Sequence, residues 1–548
     1  MEANQTIWQQ MVFLFSQIGK TFCEEEFYMA QIRVSNVTFG YEGSIDNVFE
    51  DVSFVLDTDW KLGFIGRNGR GKTTFLNLLL GKYEYRGTIK SPACFDYFPY
   101  VLTQRQRKLD SVQLMEEIRP DRELWRVICE LEHLALEADI LYRPFDSLSY
   151  GEQTKVMLAI LFSGENYFLL VDEPTNHLDY KARDQVKEYL NTKKGFILVS
   201  HDRELLDACV DHVLVLNRSS ITVERGNFTS WLENKEKRDT FETAENEKHR
   251  REIKKLEAAA WRSRTWADKN EKTKIGFDPV KETDRPTRAY IGAKTKKMQS
   301  RVKQIEKRTE RAIQQKEGLL KDQEIIGALK LMPLDHHKEV YIQAKNCSIS
   351  YQMPGTQSVF SVFRDFNFAL KRGERILLQG ENGSGKSSFI KAILEAEEIL
   401  LLNDEKSPVP ERRLTGELQV ARGLRVSYIN QDTSFLRGGL TEYIRKLHMD
   451  ESRFKAILRQ LDFDRSQFEK NMEAFSEGQK KKVLIASSLL TQAHLYIWDE
   501  PLNYIDVFSR MQIEKVILYY QPTMLLIEHD RTFGEKVATR RVTFETFH

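Results

Sequence analysis

Two stretches of this 548-residue chain have the residue types and spacing to hold a polyphosphate. Gly66-Arg-Asn-Gly-Arg-Gly-Lys72-Thr73 and Gly380-Glu-Asn-Gly-Ser-Gly-Lys386-Ser387 each follow a short apolar run, Leu62 to Ile65 and Ile376 to Leu378, and open a helix-like segment. The glycines (Gly66, Gly69 and Gly71; Gly380, Gly383 and Gly385) let backbone N–H groups cradle phosphate oxygens, with a helix N-terminus behind them. Lys72 and Lys386 would reach the β- and γ-phosphates of ATP, and Thr73 and Ser387 would hold Mg²⁺. Asn68, Thr74, Asn382 and Ser388 complete the two loops. Two further apolar runs, Phe168 to Val171 and Leu495 to Trp498, end in Asp172-Glu173 and Asp499-Glu500. The aspartate is placed for the Mg²⁺ shell and the glutamate to polarise an attacking water. His201 and His529, each followed by Asp, end another pair of apolar runs and suit contact with a γ-phosphate. One such loop arises by chance; two, each with every downstream partner in order, point to ATP hydrolysis at two sites.

The elements that position these residues come as a long internal repeat. The two lysine loops are offset by 314 residues, Leu148-Ser-Tyr-Gly-Glu152 and Phe475-Ser-Glu-Gly-Gln479 by 327, the Asp-Glu pairs by 327 and the histidines by 328. Constant order and near-constant offset predict two homologous α/β domains, residues 29–228 and 338–548. The 13 extra residues of the second copy fall near Asn403 to Leu414, a stretch of charge and proline that reads as a surface loop. Residues 1–28 read as an extension ahead of an alternative start at Met29. Residues 229–337 are rich in Glu, Lys, Arg, Ala and Gln, with a proline-bearing break near 273–290, which predicts a long antiparallel helical hairpin.

Lys+Arg (82) and Asp+Glu (81) cancel over the whole chain, but residues 250–311 hold 20 Lys and Arg against 9 Asp and Glu. A solvated spacer is the plain reading of a basic hairpin. Its local surplus, and aromatic residues near the tip (Trp261, Trp266, Phe277, Tyr290), fit RNA contact, where rings and guanidinium planes stack on bases. The five cysteines are scattered and never spaced C-x-x-C, which argues against a disulfide framework or zinc site. No run reaches the roughly 18–20 apolar residues that a membrane span needs. The expectation is a soluble, cytoplasmic protein.

The lysine loops, the Leu148 to Glu152 and Phe475 to Gln479 signatures, the Asp-Glu pairs and the histidines together resemble the ATP-binding cassette superfamily. That resemblance implies a head-to-tail sandwich in which Lys72 meets Ser476 and Gly478, and Lys386 meets Ser149 and Gly151. It also implies that Tyr41 and Tyr351 stack on adenine, and that Gln431 of Tyr428-Ile-Asn-Gln431 contacts nucleotide and Mg²⁺. The first copy departs from this pattern: Tyr97-Phe-Pro-Tyr100 has Tyr100 where glutamine is expected, and a phenol does not reproduce an amide's donor and acceptor geometry.

Two cassettes in one chain with a long charged linker narrow the resemblance to the ABC-F group. Within it, Asp59-Trp-Lys-Leu-Gly-Phe-Ile-Gly-Arg-Asn-Gly-Arg-Gly-Lys72, Ile275-Gly-Phe-Asp-Pro279, Tyr290-Ile-Gly292 and Trp498-Asp-Glu-Pro-Leu-Asn-Tyr-Ile-Asp506 resemble Lsa/Vga-type antibiotic-resistance factors. The family implies a monomer bound at the E site of the bacterial 70S ribosome, beside the P-site tRNA. The linker tip (Phe277, Arg285, Tyr290, Lys294, Lys296 and Lys297 in this chain) would reach 23S rRNA at the peptidyl-transferase centre. Lincosamides, streptogramins A and pleuromutilins would thereby be displaced, and ATP hydrolysis would release the factor. Three rivals stand beside this reading. A drug-exporter subunit leaves the basic linker unexplained. A chromosome-organising ATPase would carry its coil between the lysine loop and the signature, which here lie only 77 and 90 residues apart. A housekeeping ABC-F translation factor would share fold and ribosome but not drug protection.

Overall fold

The computed structural model describes residues 31–41, 47–176, 178–217, 220–272, 300, 304, 307–308, 329–352, 359–396, 399–401 and 412–544. The chain divides into two compact units, residues 1–229 with 327–548, and residues 230–326. The first unit contains both cassettes.

In the first cassette the strands are β1 (Gln31–Phe39), β2 (Phe49–Asp57), β3 (Lys61–Ile65), β4 (Arg86–Lys90), β5 (Cys94–Phe98), β6 (Tyr167–Asp172), β7 (Phe196–Val199), β8 (His212–Leu216) and β9 (Ile221–Arg225). They form an antiparallel sheet of order β2-β1-β4 and a six-stranded sheet of order β5-β6-β7-β3-β8-β9. In β1 the alternation of Ile32 and Val34 with Arg33 and Ser35 buries one face, as a half-covered antiparallel strand requires. β6 and β7 instead read Phe-Leu-Leu-Val and Phe-Ile-Leu-Val and are buried throughout, as parallel strands covered on both faces must be. The second cassette repeats the plan with β10 (Val340–Gln352), β11 (Val359–Lys371), β12 (Arg375–Gln379), β13 (Ile399–Leu401), β14 (Arg412–Val420), β15 (Leu424–Ile429), β16 (Leu495–Asp499), β17 (Met524–Ile527) and β18 (Arg540–Thr543). Its sheets run β11-β10-β14 and β13-β15-β16-β17-β12-β18.

Register decides where chemistry can occur. In the first cassette Gly63 pairs with Leu198 and Asp172 with Val199, so the carboxyl ends of β3, β6 and β7 lie side by side. In the second, Leu378 and Asp499 both pair with Ile527. Each lysine loop, acidic pair and histidine therefore emerges at one sheet edge, the usual ligand crevice of a parallel α/β sheet.

Of the expected hairpin, the first helix is described: Phe228–Lys272, 45 residues, supported by i,i+4 pairs such as Arg251–Glu247. The expected tip at 273–290, Phe277, Arg285, Tyr290, Lys294, Lys296 and Lys297, and nearly all of the returning helix lie outside the described residues. So do residues 1–28 and most of the loop near Asn403 to Leu414.

Two candidate ATP sites

Each lysine loop turns into its helix, Lys72–Leu79 or Lys386–Leu394, through a glycine with left-handed backbone, Gly71 at φ 105° and Gly385 at φ 96°. A Cβ there would fall 2.6 Å from Val48 and 2.4 Å from Val362, so both φ and space demand glycine. Both lysines bond to their own loops. Lys72 Nζ donates to the Gly66 carbonyl at 2.7 Å and Asn68 Oδ1 at 3.2 Å; Lys386 Nζ donates to the Gly380 and Glu381 carbonyls at 2.8 and 2.7 Å. Burial holds both ammonium groups below the usual lysine range, which sharpens their preference for an anionic ligand.

Tyr41 and Tyr351 sit at matching places. Tyr41 is hydrogen-bonded to Thr74 at 2.7 Å, and Tyr351 donates to Ser388 at 3.0 Å, each tethered to the third residue of the lysine-loop helix. Tyr351 lines a cavity of about 450 Å³ with Asn382, Gly383, Lys386, Ser387, Gln431 and others at the second site.

The acidic pairs differ in how they are held. Glu173 and Glu500 both adopt positive φ, 51° and 48°, a costly conformation repeated at equivalent positions. In the second site Glu500 Oε2 accepts from Gln431 Nε2 and Asn503 Nδ2, each at 2.8 Å, and Oε1 lies 3.4 Å from His529 Nε2. Burial would raise this carboxyl, but His529, Lys481 and Gln431 outweigh it and hold it below the usual glutamate range. In the first site, among the described residues, the Glu173 carboxyl meets His201, with Nε2 at 3.4 Å, and burial followed by the neighbouring Asp172 charge pushes it up to about 8. Asp499 is 1% exposed and its Oδ1 has no hydrogen-bond partner; burial, then Glu500, pushes it up to about 6. A buried carboxylate oxygen left unpaired beside Ser387 is the donor set a hard divalent cation fits. Thr73 and Asp172 offer the same set, with Thr73 Oγ1 3.2 Å from Asp172 Oδ2.

The missing glutamine has a structural explanation. Tyr100, its counterpart in the first cassette, is turned away: its hydroxyl donates to Asp96 Oδ2 at 3.0 Å and its ring lies under Arg119. Tyr97, three residues earlier, instead donates to Asp172 Oδ2 at 3.0 Å. Tyr100 keeps the glutamine's place in the sequence, and Tyr97, which the sequence did not single out, is the residue that reaches Asp172.

The signature serines are helix caps. Ser149 and Ser476 form capping boxes with Glu152 and Gln479. At the first site the partner cassette closes in: Asn68 Nδ2 donates to the Tyr504 carbonyl at 2.7 Å, and a Cβ on Gly478 would lie 3.5 Å from Asn68 Nδ2. Arg70 pairs with Asp462 at 3.1 Å. At the second site Gly151 packs against Leu178 and Ala182 of its own cassette, and second-cassette residues line the cavity. The crossing contacts of the Tyr504 carbonyl and of Asp462 were not read from the sequence, because nothing in their residue types announces a cross-cassette partner.

Comparison with known proteins agrees with this geometry. The ABC transporter family model matches residues 49–176 and 363–503. The ribosome protection protein VmlR of Bacillus subtilis is 26% identical over 527 residues, 93% of this chain and 86% of that one. The erythromycin resistance ATP-binding protein MsrA of Staphylococcus epidermidis is 26% identical over 504 residues, 89% and 93% of the two chains. ABC transporter F family member 5 of Arabidopsis thaliana is 22% identical over 94% of this chain and 75% of its own. In fold, the chain is similar to an archaeal ribosome recycling factor, aABCE1, at TM-score 0.56 and 18% identity over 93% and 88% of the two chains. Among the described residues no helix is long and apolar enough to cross a membrane. Two ABC transporter domains in one polypeptide, each able to bind ATP, make the chain an ABC-type ATPase, and its likeness to ABC-F proteins runs over nearly its whole length.

Proposed function

We propose that this protein is a cytoplasmic ribosome-binding ATPase that protects the peptidyl-transferase centre from lincosamides, streptogramins A and pleuromutilins. The observation that carries the reading is the likeness to a ribosome protection protein across 93% of the chain, linker included. In this reading the monomer occupies the E site of the 70S ribosome beside the P-site tRNA. The basic linker contacts 23S rRNA, and Phe277, Arg285, Tyr290, Lys294, Lys296 and Lys297 act at the tip.

ATP holds the cassettes together. Lys72 and Lys386 take the phosphates, Tyr41 and Tyr351 the adenines, and Ser149, Gly151, Ser476 and Gly478 close on the facing nucleotide. Thr73 and Asp172, and Ser387, Gln431 and Asp499, would hold Mg²⁺, which neutralises phosphate charge and orients the γ-phosphate. Glu173 and Glu500 take a proton from the attacking water, and His201 and His529 position the γ-phosphate. Hydrolysis then releases the factor.

The test is drug susceptibility of a sensitive bacterium expressing the full chain, with ribosome co-sedimentation in parallel. The intact chain should raise resistance to the three classes, and deletion of residues 278–288 should abolish it. Ribosome binding should survive that deletion and weaken with salt as counterions are released. A chain that binds ribosomes yet protects against nothing is a translation factor; one that pellets with membranes instead sinks the proposal.

A further inference from the structure

The repeat makes it possible to ask which contacts between the cassettes are duplicated and which are not. Tyr180 is the first residue of the helix Tyr180–Thr192, directly after its cap Asp179. Its hydroxyl crosses to the second cassette and donates to the Glu528 carbonyl at 2.7 Å. The same hydroxyl accepts from Gln379 Nε2 at 3.4 Å, the residue immediately before the second lysine loop. Its ring centre lies 5.6 Å from that of His529. One turn along, Arg183 donates through Nη1 to the His529 carbonyl at 3.1 Å while its Nε is anchored on Leu178 O at 2.9 Å. Two consecutive carbonyls, of Glu528 and His529 in the segment after β17 (the second switch segment), are therefore held by one helix start of the first cassette.

The reverse contact is built differently. At the repeat offset of 327, Tyr180 corresponds to Val507 and Arg183 to Arg510. Valine has no hydroxyl to give. Arg510 keeps the anchoring bond, Nε to Ile505 O at 2.9 Å, and its Nη1 meets Asp530 of its own cassette at 3.0 Å, as Arg183 Nη1 meets Asp202 at 3.4 Å; the added bond to a carbonyl across the interface is Arg183's.

We propose that Tyr180 and Arg183 are positioning residues of the second ATP site, holding Glu528 and His529 from across the interface so that the His529 ring faces Glu500. Separation of the cassettes withdraws both donors and frees the switch segment and the approach to the second lysine loop together. The second site is thus assembled by closure itself, through contacts that the first site does not share. The proposal rests on the reading of His529 and Glu500 as that site's reacting groups.

Hydrogen exchange of the full chain with a non-hydrolysable ATP analogue and Mg²⁺ tests it. Tyr180→Phe removes one hydroxyl and leaves the packing ring. Exchange of amides in 524–537 should rise about fivefold, the size expected for one lost hydrogen bond, while 196–209 in the first cassette stays unchanged. ATPase kcat should fall by a similar factor with KM within twofold, and Arg183→Lys should behave alike. Unchanged exchange at 524–537, or an equal rise in both segments, overturns the proposal. A selective rise with undiminished kcat keeps the holding contact and overturns the catalytic reading of His529 instead.

Discussion

Asp96 offers the sharpest test of how the first cassette is held together. It lies on β5 with 1% exposure and accepts from Arg119 Nε at 3.0 Å, Arg122 Nη2 at 2.9 Å and the Tyr100 hydroxyl at 3.0 Å. Asp96→Asn conserves volume and removes the charge. The Arg119 side chain is 32% exposed and can recover water, but that of Arg122 is 1% exposed and cannot. Removing one partner of a buried ion pair costs about 3–5 kcal/mol, because the other charge is stranded. Arg122 retains Asp121 at 2.8 Å, which places the loss at the lower end, about 3 kcal/mol. For a folding unit of this size that is a fall of about 6–12 °C in the first calorimetric transition. Adding Arg122→Met to Asp96→Asn removes the stranded cation and should recover at least half of the fall. A single variant within about 2 °C of the native chain, or a double variant no better than the single, would refute the reasoning.

Replacing both Glu173 and Glu500 by Gln should cut phosphate release at least about 100-fold while fluorescent-ATP binding persists, since only the proton acceptors are lost. Gln431→Ala should lower kcat about tenfold by releasing Glu500, whereas Tyr100→Phe, which removes a hydroxyl bonded to Asp96, should change it less than about twofold; the reverse ranking contradicts the assignment of these two positions. Cys209 is buried and its thiol is pushed up to about 12 by burial, so iodoacetamide at pH 8 should leave it intact in the folded chain while modifying the exposed Cys94; mass spectrometry of both peptides decides.

What the sequence made legible was whatever repeats and whatever backbone geometry demands. The lysine loops, acidic pairs and histidines could be located because a phosphate cradle needs glycines at fixed spacing, and because each motif ends a buried apolar strand. The tandem α/β cassettes follow from that repetition. Side-chain direction was less accessible. Tyr97 and Tyr100 differ by three positions, and only the path of β5 and the acceptor at Asp96 decide which one reaches Asp172. Contacts between residues more than 300 apart, such as Asn68 with Tyr504 or Tyr180 with Glu528, leave no local pattern at all.

Pairs that cross from one cassette to the other are among the contacts that differ between the two copies. Cradle glycines, lysines, aspartates and glutamates are kept in kind at both sites, whereas the crossing pairs are not. Arg203 meets Glu514 at 2.8 Å with both side chains buried. At the repeat-related place Lys187 stands where Glu514 does, and Arg531 reaches Glu204 instead, at 3.6 Å with half-exposed side chains. A buried pair strongly penalises loss of either partner, and an exposed one contributes little. The two flanks of the interface are therefore held differently, one by a buried ion pair and the other by an exposed one. Together with the one-way grip of Tyr180 on the second switch segment, this makes the two sites unequal in assembly while their phosphate-binding residues stay alike.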